Sequence, residues 1–281
     1  MKFTFKKVIL FTLFLISVFY IYVYAFDVEK KSVYHPEKAY LPPELYLLDK
    51  FTANSQRIDD DTVLSYWYIR GEKDKPTILY TEGTFRNMSY FQEKIKFLVQ
   101  NNYPVILYDY RGYGQSTNKP SEEGIYSDLD KFIEHICSDY NITENDIIIW
   151  GHSLGGAVAT EAATKHKFKG VIIEAAFTSM DDMKKYGAKL LSNNPFQYVL
   201  NRVVFTLVPV TQKFDNLAKI DKINSSTLIL HSKPDSFIPY EMSIELNKKN
   251  PATKLYISEK GEHEDPYWHN QEILKFIKTL K

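Results

Sequence analysis

Residues 146–166 constrain the fold more than any other stretch of this chain. A short β-branched run, Asp146-Ile147-Ile148-Ile149-Trp150, leads into Gly151-His152-Ser153-Leu154-Gly155-Gly156, and an Ala-rich helical stretch runs on to His166. The order is strand, tight turn, helix. In such a turn the central serine is held in strained backbone geometry with its hydroxyl presented outward. Side chains two residues before and after it would collide, and Gly151 and Gly155 supply the space. The Leu154 amide, at the helix N-terminus, points toward a developing oxyanion and offers half of an oxyanion hole.

The surrounding pattern fits this unit. Short apolar runs at Pro76 to Thr81, Pro104 to Tyr108, Gly170 to Ile173, Thr227 to His231 and Lys254 to Ser258 read as further strands. Ser89 to Gln100, Ser121 to Ser138, Tyr240 to Lys249 and Gln271 to Leu280 read as helices between and after them. Alternation of this kind gives a mainly parallel sheet covered by helices, here one α/β domain over residues 61–281. Cys137 is the only cysteine, so the core cannot rely on a disulfide or on a Cys-rich zinc site.

The N-terminus differs in character. Val8 to Phe26 is nineteen residues without a charge, which at about 1.5 Å per residue matches the roughly 30 Å hydrocarbon layer. Residues 1–26 are therefore expected to be a transmembrane anchor, with a cleaved signal peptide as the rival reading. Lys2, Lys6 and Lys7 precede the run, which predicts a cytoplasmic N-terminus and an extracytoplasmic domain, or a secreted or periplasmic enzyme after cleavage. The whole chain balances 35 basic against 35 acidic residues; without those three lysines the rest is 32 against 35. That balance excludes a polybasic nucleic-acid binder. Residues 27–60, with Pro36, Pro42 and Pro43, read as a stalk and approach to the domain.

A serine nucleophile needs a base, and the base needs a group that fixes its tautomer. His263, in the loop after the last candidate strand, is the expected base. His152 neighbours Ser153, but adjacent residues on such a turn point apart, so it is expected to pack. Asp235, four residues after the penultimate strand, is the expected acid; Glu174, at the end of an earlier strand, is the competing one, and Asp109 is expected to organise its loop. The cluster Glu262, His263, Glu264 and Asp265 has metal-ligand composition, but contiguous loop residues rarely converge on one ion, so neither a metal nor a cofactor is expected.

The order Ser153, Asp235, His263, with Asp109-Tyr110-Arg111-Gly112-Tyr113-Gly114-Gln115-Ser116, Pro120-Ser121-Glu122-Glu123-Gly124 and Phe177-Thr178-Ser179-Met180, resembles the α/β-hydrolase-fold serine hydrolases. Within them it is similar to the membrane-anchored branch named after the yeast bud-emergence protein, over roughly Thr62 to Lys281. The resemblance implies Ser153, Asp235 and His263 as a catalytic triad and the Thr84 amide as the second oxyanion donor. One departure stands out: Thr81-Glu82-Gly83-Thr84 carries Glu82 where the family usually has His. A carboxylate facing the site would oppose the oxyanion, so Glu82 is expected to turn toward Arg86 or Arg111.

Between Met180 and Ile223 a stretch rich in Phe, Leu and Val, including Val199 to Val210, is expected to cap the site and suit an acyl chain. Hydrolysis of an ester or thioester of a small or lipid-like acyl substrate follows, with the membrane reached through residues 8–26. A peptidase or amidase on the same residues, and a catalytically silent binding protein on the same fold, are the alternatives.

Overall fold

The computed structural model describes residues 5–25, 27–190, 194, 197 and 210–280. Helix α1, Phe5–Ala25, leads through α2, Val28–Val33, and a two-residue strand β1, His35–Pro36. There follow β2 Phe51–Arg57, β3 Val63–Ile69, β4 Thr77–Thr81, β5 Phe85–Arg86, α3 Gln92–Gln100, β6 Val105–Tyr108 and α4 Glu122–Tyr140. The second half runs β7 Ile147–His152, α5 Leu154–Lys165, β8 Gly170–Glu174, α6 Met180–Leu190, β9 Thr227–Ser232, α7 Glu241–Lys249, β10 Lys254–Ser258 and α8 Asn270–Thr279.

Among the described residues eight strands form one sheet in the order β10-β9-β8-β7-β4-β6-β3-β2. Only β2 and β3 pair antiparallel to their neighbours. Strands β4, β6, β7 and β8 are buried along their whole length, because helices cover both faces; this is why they read as unbroken apolar runs rather than alternating ones. Ile147, Ile149 and Ile173 pack with Leu129, Phe132 and Val158 on one face. Ile148, Trp150 and Ile172 pack with Leu98, Ile273 and Phe276 on the other.

All six expected strands and five expected helices form, with ends shifted by up to three residues. Two features differ from the sequence reading. First, residues 27–60 are not a detached stalk: β2 is the sheet edge, and β1 pairs in parallel with β5 through His35↔Phe85 and Pro36↔Arg86. Phe51-Thr52-Ala53-Asn54-Ser55-Gln56-Arg57 lacks apolar alternation because only edge pairing with β3 holds it.

Second, the membrane anchor needs correction. The segment is helical as α1, but among the described residues no helix is long and apolar enough to cross a membrane. Of the expected cap, residues 191–193, 195–196 and 198–209, which hold nearly all of the run from Val199 to Val210, lie outside the described residues.

Candidate active site

At the end of β7 the chain makes the strained turn that its sequence requires. Ser153 has φ 56° and ψ −119°, a region that non-glycine residues rarely occupy. The two glycines are there for space. A Cβ on Gly151 would lie 2.1 Å from the Gly155 carbonyl oxygen, and one on Gly155 would lie 2.0 Å from that of Thr81. The Ser153 amide donates to the Glu174 carbonyl at 2.9 Å, which fixes the turn against β8.

Three loops converge on this serine. His263 Nε2 lies 3.1 Å from Ser153 Oγ, and His263 Nδ1 lies 2.7 Å from Asp235 Oδ2. All three side chains are buried, His263 at 8% exposure. Asp235 Oδ1 accepts from the amides of Phe237 at 2.9 Å and Ile238 at 2.8 Å. His231 approaches Oδ2 with Nε2 at 3.2 Å. Burial alone would raise this carboxyl, but hydrogen bonds from His231 and His263 hold it well below the usual range. Asp235 is thus ionised, with both oxygens occupied.

His231 is a second support for Asp235. Its Nε2 also faces the Ile238 carbonyl at 3.0 Å, so Nε2 carries the proton, and Nδ1 accepts from Ser243 Oγ at 2.7 Å. Its position at the end of β9, four residues before Asp235, was the available signal.

Glu174, the rival acid, faces away from His263. Its Oε1 pairs with Lys94 Nζ at 2.8 Å and with His269 Nε2 at 2.9 Å, and Oε2 accepts from Trp150 Nε1 at 2.9 Å. Burial opposes ionisation, yet the charges of His269 and Lys94 hold Glu174 well below the usual carboxylate range. Sequence reasoning missed this network behind Ser153. Lys94 stands three and four residues before Phe97 and Leu98 on the buried face of α3, and a lysine in that register was its only trace. Lys94→Met is expected to destabilise the fold by about 3 to 5 kcal/mol, because it leaves buried charge uncompensated. Chemical denaturation measures it; a loss under about 1 kcal/mol would mean the pair is not effectively buried.

The turn after β4 runs beside Ser153. A Cβ on Gly83 would lie 3.5 Å from Ser153 Cβ, which sets the Gly83-Thr84 segment beside that serine. Thr84 is pinned from three directions. Its carbonyl accepts from the His35 amide at 3.1 Å and the Tyr113 hydroxyl at 2.8 Å, and its Oγ1 donates to Val33 O at 2.8 Å. Leu154 opens α5 directly after Ser153 and is fully buried. The segment that follows α1 therefore braces this loop.

Glu82 does not turn toward either arginine. Arg111 is engaged by Asp128, with Nε 2.7 Å from Oδ2, and Arg86 sits over the Tyr90 ring at 5.2 Å. The Glu82 carboxyl is buried, at 1% exposure, and neither oxygen has a hydrogen-bond partner among the described residues. Burial, then the nearby Asp109 carboxyl, push its pKa well above the ordinary value, which favours the neutral carboxyl. Asp109 organises its loop as expected, accepting from the Met88 amide at 2.8 Å and from the Tyr40 hydroxyl; burial raises it to about 6.

A carboxyl raised in the native state keeps its proton where the unfolded chain has lost it, so its contribution to stability falls as pH rises past the unfolded value of 4.5. Glu82→Gln is expected to flatten that decline and to raise stability at pH 8 relative to wild type. Urea denaturation at pH 5 and pH 8 decides it; equal slopes for the two proteins would show that Glu82 is not neutral in the fold.

A cleft of about 350 Å³ opens onto the site, lined by His35, Phe85, Arg86, Phe237, His263 and Glu264 among others. Phe237 lies beside His263 with ring centres 5.1 Å apart and planes tilted by 43°. A larger depression of about 760 Å³ lies over β2 and β3, around Pro42, Phe51 and Trp67, and includes none of the residues around Ser153.

Residues 72–215, over half of the chain, match the family model described as serine aminopeptidase, S33. Human protein ABHD12B is 33% identical over 190 residues, which cover 62% of this chain and 50% of that protein; the chain thus matches only half of that relative's length. An uncharacterized membrane protein of Saccharomyces cerevisiae is 36% identical over 135 residues, 47% of this chain and 48% of that one. An esterase of Pyrococcus furiosus superposes with a TM-score of 0.71 at 19% identity, over 88% of this chain and 97% of that chain, a likeness of fold.

Proposed function

This chain belongs to the serine aminopeptidase S33 family and is an α/β-hydrolase, and on that premise we propose that it cleaves carboxylic esters or thioesters of acyl or lipid-like substrates through Ser153, His263 and Asp235. The carrying observation is the run of contacts from Ser153 Oγ to His263 Nε2 at 3.1 Å and from His263 Nδ1 to Asp235 Oδ2 at 2.7 Å.

The chemistry follows from that geometry. Ser153 Oγ attacks the acyl carbon while His263 Nε2 takes its proton. Asp235, held ionised, accepts from Nδ1–H and stabilises the imidazolium. The amides of Leu154 and Thr84 receive the oxyanion. Collapse expels the alcohol or thiol with the proton from His263, and a water activated by the same nitrogen then releases the acid from the acyl-enzyme. Phe85 and Phe237, 40% and 46% exposed in the cleft, supply an apolar wall suited to an acyl chain. The side chains of Phe11, Leu13, Phe14 and Leu15 on α1 are 51–61% exposed and support contact with lipid, which would keep such a substrate near.

The family description favours a second reading, cleavage of an amide or peptide bond by the same residues. A panel of esters graded by acyl length, with matched thioesters and amides, in solution and in phosphatidylcholine vesicles, separates the two. Esters or thioesters are expected to turn over fastest, and the vesicles to carry the chain down on sedimentation. A fluorophosphonate adduct is expected on the peptide that contains Ser153. Absence of both turnover and adduct would leave a binding protein on this fold; turnover confined to amides would replace the ester reading.

A further inference from the structure

The sequence places Glu262, His263, Glu264 and Asp265 side by side, an arrangement poorly suited to one ion. The fold changes the set of neighbours. One ligand atom each from His152, His263 and Glu264 lies within 4.8 Å of the other two, with His152 contributed by the end of β7 rather than by the loop.

The imidazoles are set up unusually well. His152 is fully buried, and its Nε2 lies 2.9 Å from the His263 carbonyl oxygen, which can only accept; the proton is therefore on Nε2 and the lone pair on Nδ1. That Nδ1 is buried and has no hydrogen-bond partner among the described residues. His263 holds its own proton on Nδ1, toward Asp235, which leaves the Nε2 lone pair facing the Ser153 hydroxyl at 3.1 Å. Each ring thus has an oxygen acceptor behind it and an unprotonated nitrogen in front, the outer-shell arrangement that orients histidine ligands of metals. Glu264 is exposed and lines the cleft, which gives both a hard anionic ligand and a path of entry.

We propose that His152, His263 and Glu264 form a binding site for a divalent transition metal ion, Zn²⁺ above all, and that its occupation switches the hydrolase off. Bond lengths of about 2.0 to 2.2 Å in a tetrahedral site put ligand atoms roughly 3.3 Å apart. From the present spacing, within 4.8 Å, the ligand atoms would close by up to about 1.5 Å on binding. Two imidazoles and one carboxylate suit zinc, and water completes the fourth position. The ion and the Ser153 proton compete for the same lone pair on His263 Nε2, so metal binding and catalysis exclude each other. The switch rests on the reading of His263 as base; the binding does not.

Two measurements keep those apart. Calorimetric titration of the full Ser153→Ala chain with ZnCl₂ is expected to show one ion per chain, with affinity at least about tenfold weaker in Ser153→Ala/Glu264→Gln. Zn²⁺ is expected to inhibit wild-type ester turnover competitively and reversibly on EDTA addition. Mg²⁺, which prefers oxygen ligands, is expected to have no effect. The half-inhibiting Zn²⁺ concentration should rise at least about tenfold in Glu264→Gln. The proposal fails if binding is absent, or if it is unchanged by both Glu264→Gln and His152→Asn. Binding with the expected Glu264 dependence, in a chain that turns over no substrate, would uphold the site and remove the hydrolase reading instead.

Discussion

Ser153→Ala is expected to lower turnover of the best substrate by about 10⁶-fold while the protein stays folded. The size follows from what the hydroxyl does on the proposed reading: it is the atom that bonds to the acyl carbon, and no neighbouring group can replace it. His263 could still activate water, and the Leu154 and Thr84 amides could still hold an oxyanion, so a residual rate of about 10³ to 10⁴ over water should remain. Stability is expected to change little, because the hydrogen bond lost with Ser153 Oγ is the one to His263 at 3.1 Å, and alanine faces the same positive φ of 56° as serine. The check is turnover measured beside a thermal unfolding curve and a mass spectrum after fluorophosphonate treatment. A variant that keeps more than about a thousandth of the wild-type rate would remove Ser153 as nucleophile.

Asp235→Asn should lower kcat by about 10⁴-fold with near-native geometry. The present carboxylate accepts two amides on Oδ1 and two histidines on Oδ2. An asparagine must give one of these places to an NH₂. With its oxygen kept on the Phe237 and Ile238 amides, the NH₂ meets His263 Nδ1 and drives the proton to Nε2, where it blocks the base. His231, whose Nε2 carries a proton, also loses an acceptor, which reinforces the fault. The readout that separates this from general damage is non-additivity: Ser153→Ala/Asp235→Asn should be no slower than Ser153→Ala alone. If Asp235→Asn instead costs less than about tenfold, the contact with His263 is structural only.

Much of this site was legible before any coordinates, for reasons that can be named. Gly151 and Gly155 flank Ser153 because the turn leaves no room for a Cβ, a constraint written within five residues. Strand and helix periods are equally local, so β4, β6, β7, β8, β9 and β10 could be read from their own residues. The order Ser153, Asp235, His263 then followed from which loops end which strands. β2 and the β1–β5 pairing were not legible, since an edge strand needs no apolar alternation and a two-residue pair has no period.

What only the tertiary structure decided is the company each polar group keeps. Glu82 was expected beside an arginine and lies among buried groups instead. Lys94 and Glu174, eighty residues apart in the chain, neutralise each other behind Ser153. His231 turns onto Asp235, and His152 crosses from β7 to face the loop of His263 and Glu264. The sequence determined the backbone of the site, because steric limits on a turn and the periods of strand and helix act over a few residues. The protonation and partners of its side chains waited on the closing of the sheet, because burial and charge act through space between residues that the chain keeps far apart.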